Sequence, residues 1–175
     1  MRNADLLEMI RRVPDFPKPG ILFYDITTLL KDPRGLQETV DRMAAPWLTV
    51  RPDYVLGIDA RGFLLASAIA YKLNTGLVLA RKKGKLPFQT NTVSYDLEYG
   101  KAEMEIHVDA VEAGASVLIV DDLLATGGTA AATVSLLRQT QARIAGCSFI
   151  LELDGLGGRD KLGDLPLDAL ITVPA

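Results

Sequence analysis

Two adjacent carboxylates, Asp121 and Asp122, stand where the apolar run Val117-Leu118-Ile119-Val120 gives way to Leu123-Leu124-Ala125-Thr126-Gly127-Gly128-Thr129-Ala130. A β-branched apolar run bounded by charge reads as a buried parallel strand, and Ala131, Val134, Leu136 and Leu137 read as the opening of a helix. The acids then sit at the carboxyl end of a strand, where open α/β sheets bind their ligands. A glycine turn entering a helix presents unpaired backbone N–H groups to an anion. One ligand type suits both features: a ribose whose hydroxyls the acids can hold, carrying a 5′-phosphate for the turn. The segment is not a P-loop, because no Lys-Ser or Lys-Thr follows the glycines, and the dinucleotide pattern G-x-G-x-x-G is absent.

Asp59-Ala60-Arg61-Gly62 has the same layout of strand end, tight turn and helix start. An arginine there can make bidentate contacts to a diphosphate, and the glycine permits close backbone approach. Arg81-Lys82-Lys83-Gly84-Lys85 places four cations right after another strand, on the same inferred ligand edge. Such a run is usually a solvated face, but at this edge Arg81 and Lys85, with Lys82 beside them, could neutralise an anionic ligand.

These groups need elements to position them. Asn3 can cap a first helix through Leu6, Met9, Ile10 and Val13, stopped at Pro14 and the Phe16-Pro17-Lys18-Pro19-Gly20 cluster. Ile21 to Phe23 read as a short extended piece, and Asp32-Pro33 as the cap and first turn of a helix through Leu36, Val40, Met43 and Ala44. Tyr54 to Ile58 form a strand, Asp59 to Gly62 a turn, Phe63 to Leu73 a helix and Leu77 to Ala80 a strand. Strands at Val117 to Val120, Ala145 to Leu151 and Leu170 to Val173 complete an α/β alternation with a mostly parallel open sheet flanked by helices. Lys82 to Asn91 reads as a polar loop, and Ser94 to His107 as alternating hairpin sequence. Ala102, Met104, Ile106 and Val108 share one face there, and Glu103, Glu105 and His107 share a solvated one, which makes the single histidine a surface residue rather than a base.

With 175 residues, 49% of them hydrophobic, the chain fits one domain and not two. A net charge of −3 gives no electrostatic footprint for nucleic acid. Cys147, alone in an apolar stretch, reads as a buried thiol in a reducing cytoplasm. No secretory h-region and no membrane-spanning run is expected.

The run Asp121 to Thr129 resembles the 5-phosphoribosyl diphosphate (PRPP) motif of the type I phosphoribosyltransferases, in the wording of their adenine-specific branch. Ser94-Tyr95-Asp96-Leu97-Glu98-Tyr99-Gly100-Lys101-Ala102-Glu103 resembles the catalytic loop of that branch, Pro19 to Thr27 its base-recognition segment, and Leu151 to Leu162 a C-terminal segment. The resemblance implies one domain with an N-terminal hood over residues 1–33, an α/β core over 34–175 and a lid over 84–107. It implies Mg²⁺-dependent transfer from PRPP to adenine, giving AMP and pyrophosphate, with Glu98 acting on the purine and Tyr99 helping to close the lid. Asp121 and Asp122 would hold the ribose, Ala125, Thr126, Gly127, Gly128 and Thr129 the 5′-phosphate, and Asp59, Ala60, Arg61, Arg81, Lys82 and Lys85 the pyrophosphate. The Asp59 loop is expected to contain a cis peptide. Phe23 and Leu123 would sandwich adenine, with backbone contacts from Leu22 and Tyr24; many relatives carry a basic residue in place of Tyr24. Mg²⁺ would be held mainly by substrate and water, with no protein cage, and a homodimer would lend Arg81 to the partner's site. The rival readings are the same fold acting on hypoxanthine or guanine, and a non-catalytic PRPP-sensing regulator.

Overall fold

In the computed structural model, which describes residues 3–96 and 100–175, strand β3 (Tyr54–Ile58) and strand β7 (Ser116–Leu124) lie side by side and parallel at the centre of a seven-stranded sheet. Strand β4 (Gly76–Lys82) flanks β3, and β8 (Arg143–Asp154) and β9 (Leu167–Pro174) continue beyond β7, all parallel. Chain order runs outward in opposite directions from the β3–β7 pair, so a topological switch point lies between them, the usual place for a ligand crevice. An antiparallel hairpin, β5 (Thr90–Asp96) and β6 (Lys101–His107), extends the sheet by pairing Arg81 with Glu105 and Lys82 with Met104.

Helices cover both faces. Leu118, Val120, Val55 and Ile150 pack with Met43 of α3 (Pro33–Ala44) and with Leu65 and Ile69 of α4 (Arg61–Leu73). Leu56, Ile58, Ile119 and Phe149 pack with Val134, Leu136 and Leu137 of α5 (Gly128–Gln139) and with Leu162 of α6 (Gly158–Leu162). Each such fully buried side chain contributes about 1.5–3 kcal/mol. Cys147 lies in the second layer, where burial pushes its thiol up to about 12, so it is an inert packing residue. Asp32 caps α3 as the sequence predicts, accepting from the N–H groups of Arg34 at 2.9 Å and Gly35 at 2.8 Å. Among the described residues no helix is long and apolar enough to cross a membrane.

The N-terminal segment departs from expectation. Helix α1 covers only Asn3–Glu8, and Arg11–Pro14 (β1) pairs antiparallel with Leu22–Asp25 (β2). Val13 precedes a proline, which disfavours helical backbone there, and β2 supplies ladder partners instead. A short helix α2 (Thr27–Lys31), absent from the sequence reading, then leads into α3. Two further differences bear on the site. Strand β7 runs past Val120 through Leu124 because β8 pairs with it to the end, so the two acids lie within the strand's last turns of pleat rather than after it. On β6 the face of Glu105 and His107 is not solvated. Glu105 is 6% exposed and accepts from Gly84 N–H at 3.0 Å and Thr92 Oγ1 at 3.2 Å, while His107 Nε2 is buried without a partner beside Phe88. Thr90 to Ser94, read partly as loop, are strand, with Val93 and Tyr95 packed on the core.

Gly57 sets the spacing of α4 on β3: a Cβ there would lie 2.8 Å from Ala66 Cβ and 3.1 Å from the Gly62 carbonyl oxygen. Gly57→Ala is expected to cost about 1–3 kcal/mol by overpacking. Urea unfolding monitored by circular dichroism checks this; an unchanged midpoint would show that the helix has room to move.

Candidate active site

The ends of β3 and β7 meet the first turns of α4 and α5, and two glycines allow the meeting. A Cβ on Gly62 would lie 2.8 Å from the Val120 carbonyl oxygen and 3.0 Å from Asp121 Oδ1, so α4 begins directly against the acidic end of β7. Gly127, at φ 76°, turns the chain into α5 through a left-handed conformation that a side chain would strain. The Asp59–Ala60 peptide is cis, as the resemblance implied. Between these turns lies a cavity of about 560 Å³, lined by Asp59, Ala60, Arg61, Lys82, Tyr95, Ala102, Met104 and the continuous run from Asp121 to Ala130.

The floor of the cavity is charged. Arg61 Nε donates to Asp122 Oδ2, and Asp122 is only 4% exposed. Burial alone would lower the Arg61 guanidinium; its hydrogen bond to Asp122, with the charges of Asp122, Asp121 and Asp25, outweighs this and holds it above its ordinary value. Asp121 accepts from the Asp122 N–H at 2.9 Å. Its carboxyl is pushed well above the usual carboxylate range, first by burial and then by the neighbouring Asp122. Arg61 thus compensates Asp122 by direct contact, and among the described residues Asp121 makes no ion pair and feels Arg61 only through its charge.

The cradle beside them, Ala125-Thr126-Gly127-Gly128-Thr129, is built of small residues. Backbone N–H groups of the α5 first turn are available to an anion, with the Thr129 hydroxyl 3.4 Å from Tyr95 Oη at the rim. Such a site can accept hydrogen bonds from a vicinal diol at one end and donate them to a phosphate at the other.

The structure brings Asp59, Ala60, Arg61, Lys82, Asp121, Asp122, Leu123 and Ala125 to Thr129 around one cavity. Arg81 and Lys85 are not among the residues that line it. Arg81 Nε lies 3.3 Å from Asp59 Oδ2, its Nη1 donates to the Lys85 carbonyl at 3.2 Å, and its guanidinium sits 5.7 Å from the Phe63 ring centroid. Lys83 pairs with Glu103 at 2.9 Å. Leu22, Phe23 and Tyr24 belong to the separate β1–β2 sheet, next to the cavity but not on its wall; Phe23 reaches it through Arg61, whose guanidinium is 5.9 Å from the ring centroid. Phe23 is not a core residue: its other neighbour is Phe16, edge-on at 5.1 Å. Glu98 and Tyr99 lie outside the described residues. Tyr95, Ala102 and Met104 on the hairpin were missed as site residues. The signal was present in their alternation, since 102 and 104 share a face that had to cover something. Among the described residues no group of three or more His, Cys, Asp or Glu converges to hold a metal.

Comparison with known proteins agrees with this geometry. A family model described as phosphoribosyl transferase domain matches residues 30–161. An adenine phosphoribosyltransferase of Acidobacterium capsulatum is 54% identical over 95% of this chain and 92% of its own. The crystal structure of adenine phosphoribosyltransferase from Rhodothermus marinus superposes with a TM-score of 0.93 at 44% identity, covering 98% of both chains. The enzyme of Saccharomyces cerevisiae, complexed with an imino-altritol bisphosphate and adenine, gives 0.91 at 38% identity, over 97% of this chain and 98% of that one. Fold, motif order and sequence agree along nearly the whole length, and the chain belongs to the phosphoribosyltransferase family, in its adenine phosphoribosyltransferase branch.

Proposed function

We propose that the cavity binds PRPP and adenine and transfers the 5-phosphoribosyl group to adenine, producing AMP and pyrophosphate. The observation that carries this reading is the placement of Asp121 and Asp122 beside the Gly127–Gly128 amide cradle with Arg61 on the same wall. Asp121 and Asp122 accept from the ribose hydroxyls, and Ala125 to Thr129 bind the 5′-phosphate. Asp59 to Arg61, with Lys82, receive the leaving diphosphate. Arg61 compensates Asp122, and when ribose hydroxyls take its place there it is released toward the diphosphate. The reacting ribose carbon gains positive charge as the diphosphate leaves, so preorganised donors to the leaving oxygens and acceptors near the ring both stabilise the transition state. Glu98 manages the purine proton, and Phe23 with Leu123 encloses the base.

Hard oxygen donors suit Mg²⁺, and the cavity carries Asp59, Asp121 and Asp122, but Asp122 is engaged by Arg61 and Asp59 by Arg81 and the Lys82 N–H. The set therefore fits a cation held mainly by substrate oxygens and water. When bound, Mg²⁺ would supply charge neutralisation at the diphosphate leaving group. The hairpin β5–β6 and the segment before it act as the lid. A homodimer is supported by exposed apolar residues on α4 and β4, namely Leu64, Tyr71, Leu77 and Leu79, with Phe88 on the following loop. In that dimer Arg81 exchanges Asp59 for the partner's site. The net charge of −3 supports small-molecule substrates rather than nucleic acid, and a free buried thiol suits a cytoplasmic enzyme.

Three outcomes are expected. Adenine presents an N6 donor beside an N1 acceptor and hypoxanthine reverses them, so fixed backbone partners at Leu22 and Tyr24 reject hypoxanthine by about 10⁴ in kcat/KM. Chromatographic assay of AMP and IMP formation tests this, and equal use of both bases would overturn the adenine reading. Glu98→Gln lowers turnover about 10²-fold while PRPP still binds; turnover at the wild-type level would remove Glu98 from the mechanism. Asp121 binds its proton more tightly folded than unfolded, so its contribution to stability is present at low pH and lost as pH rises through its elevated folded value. Ligand-free Asp121→Asn should therefore gain melting temperature relative to wild type on going from pH below the ordinary carboxylate range to pH above it, while losing affinity for ribose 5-phosphate. Calorimetric melting across that range measures it, and a pH-independent difference would show that Asp121 is ionised without cost.

A further inference from the structure

The 5′-phosphate loop rests on another piece of backbone. A Cβ at Gly127 would lie 2.7 Å from the Gly158 carbonyl oxygen and 2.8 Å from its Cα, and a Cβ at Gly158 would lie 2.2 Å from the Ala125 carbonyl oxygen. The loop and the first residue of α6 are thus in bare backbone contact. Such contact is short-ranged and has little directional preference, so it transmits any shift of α6 to the loop without itself deciding where α6 sits.

The next residue supplies the direction. Arg159 Nε donates to Glu152 Oε1 at 2.9 Å and its Nη2 donates to Oε2 at 2.5 Å, a two-pronged contact that fixes orientation as well as distance. The Glu152 side chain is 7% exposed, and the hydrogen bond to it, above all other causes, raises the Arg159 guanidinium above its ordinary value. Glu152 lies on β8 in register with Leu124, the last residue of β7 before the phosphate loop. The path therefore closes on itself: from Leu124 across the sheet to Glu152, through the fork to Arg159, and through Gly158 back onto Ala125 and Gly127. Neither Arg159 nor Glu152 lines the catalytic cavity.

We propose that the Arg159–Glu152 pair is the positioning element of the 5′-phosphate loop, acting through the Gly158 backbone on the affinity for the phosphate end of the substrate. This rests on the phosphoribosyl reading of the cavity. Because the pair touches no reacting atom, it acts on phosphate-bearing ligands and not on adenine or on the chemical step. Arg159→Ala is expected to raise both the KM for PRPP and the Kd for ribose 5-phosphate about 10-fold, with kcat and the KM for adenine within about twofold. Arg159→Lys, which keeps the charge but not the fork, should recover only part of the loss.

Calorimetric titration with ribose 5-phosphate, alongside steady-state kinetics and melting curves, tests the proposal on the full chain. Wild-type protein that fails to bind ribose 5-phosphate would overturn the phosphoribosyl reading and this proposal together. Wild-type binding with an Arg159→Ala affinity within about twofold of it would overturn the positioning role alone. So would a fall in melting temperature and kcat without a change in affinity, the pattern of a merely structural ion pair. If Arg159→Ala does not fold, Glu152→Gln decides the matter by the same affinity criterion, since it keeps the side-chain shape and weakens the fork.

Discussion

Asp122 is a carboxylate almost wholly removed from water, and Arg61 is what makes that tolerable. A buried charge without a partner is expensive, and a partner that is itself half exposed can be exchanged for a ligand. The rest of the site follows from bringing these groups together. Gly62 has to be a glycine for α4 to begin against Val120 and Asp121, and only from that position does the next residue back, Arg61, reach Asp122. Asp121 makes no such direct contact with Arg61, and burial and the neighbouring Asp122 push its carboxyl above the usual carboxylate range.

The sheet explains why both ligand ends meet. At the switch point between β3 and β7 two strand ends open side by side, each feeding a helix through a tight turn. One turn carries arginine and is the one proposed for the leaving anion; the other carries glycines and is the one proposed for the anion that stays. The antiparallel hairpin β5–β6, hung on the carboxyl end of β4, brings Tyr95 and Met104 to the cavity. Close approaches that leave no room for a Cβ recur at each junction, at Gly57, Gly62, Gly127 and Gly158. Small residues there let elements approach closely enough that a charge pair on one side can set a loop on the other.

The strand-turn-helix units were legible because their signals are local. The apolar run before Asp121, the glycines after it and the Asp32-Pro33 cap each act within a few residues. What the sequence hid depended on partners far along the chain. The helical spacing of Leu6, Ile10 and Val13 lost to pairing with β2, although Pro14 was a local warning. Alternation along β6 showed that Glu105 and His107 share a face, but not that the face is covered. A cluster of cations says nothing about which carboxylate each one meets, and Arg81 meets Asp59 rather than the open cavity. Glu98 was singled out among many acids by family resemblance alone.

PRPP is proposed to take Asp122 from Arg61. A crystal structure of the protein with PRPP and Mg²⁺ tests it most directly. The account predicts ribose hydroxyls on Asp121 and Asp122, the 5′-phosphate on the amides of Ala125 to Thr129, and the Arg61 guanidinium moved from Asp122 to the diphosphate. PRPP seated in the cavity with the Arg61–Asp122 contact intact and the ribose away from both acids would contradict it.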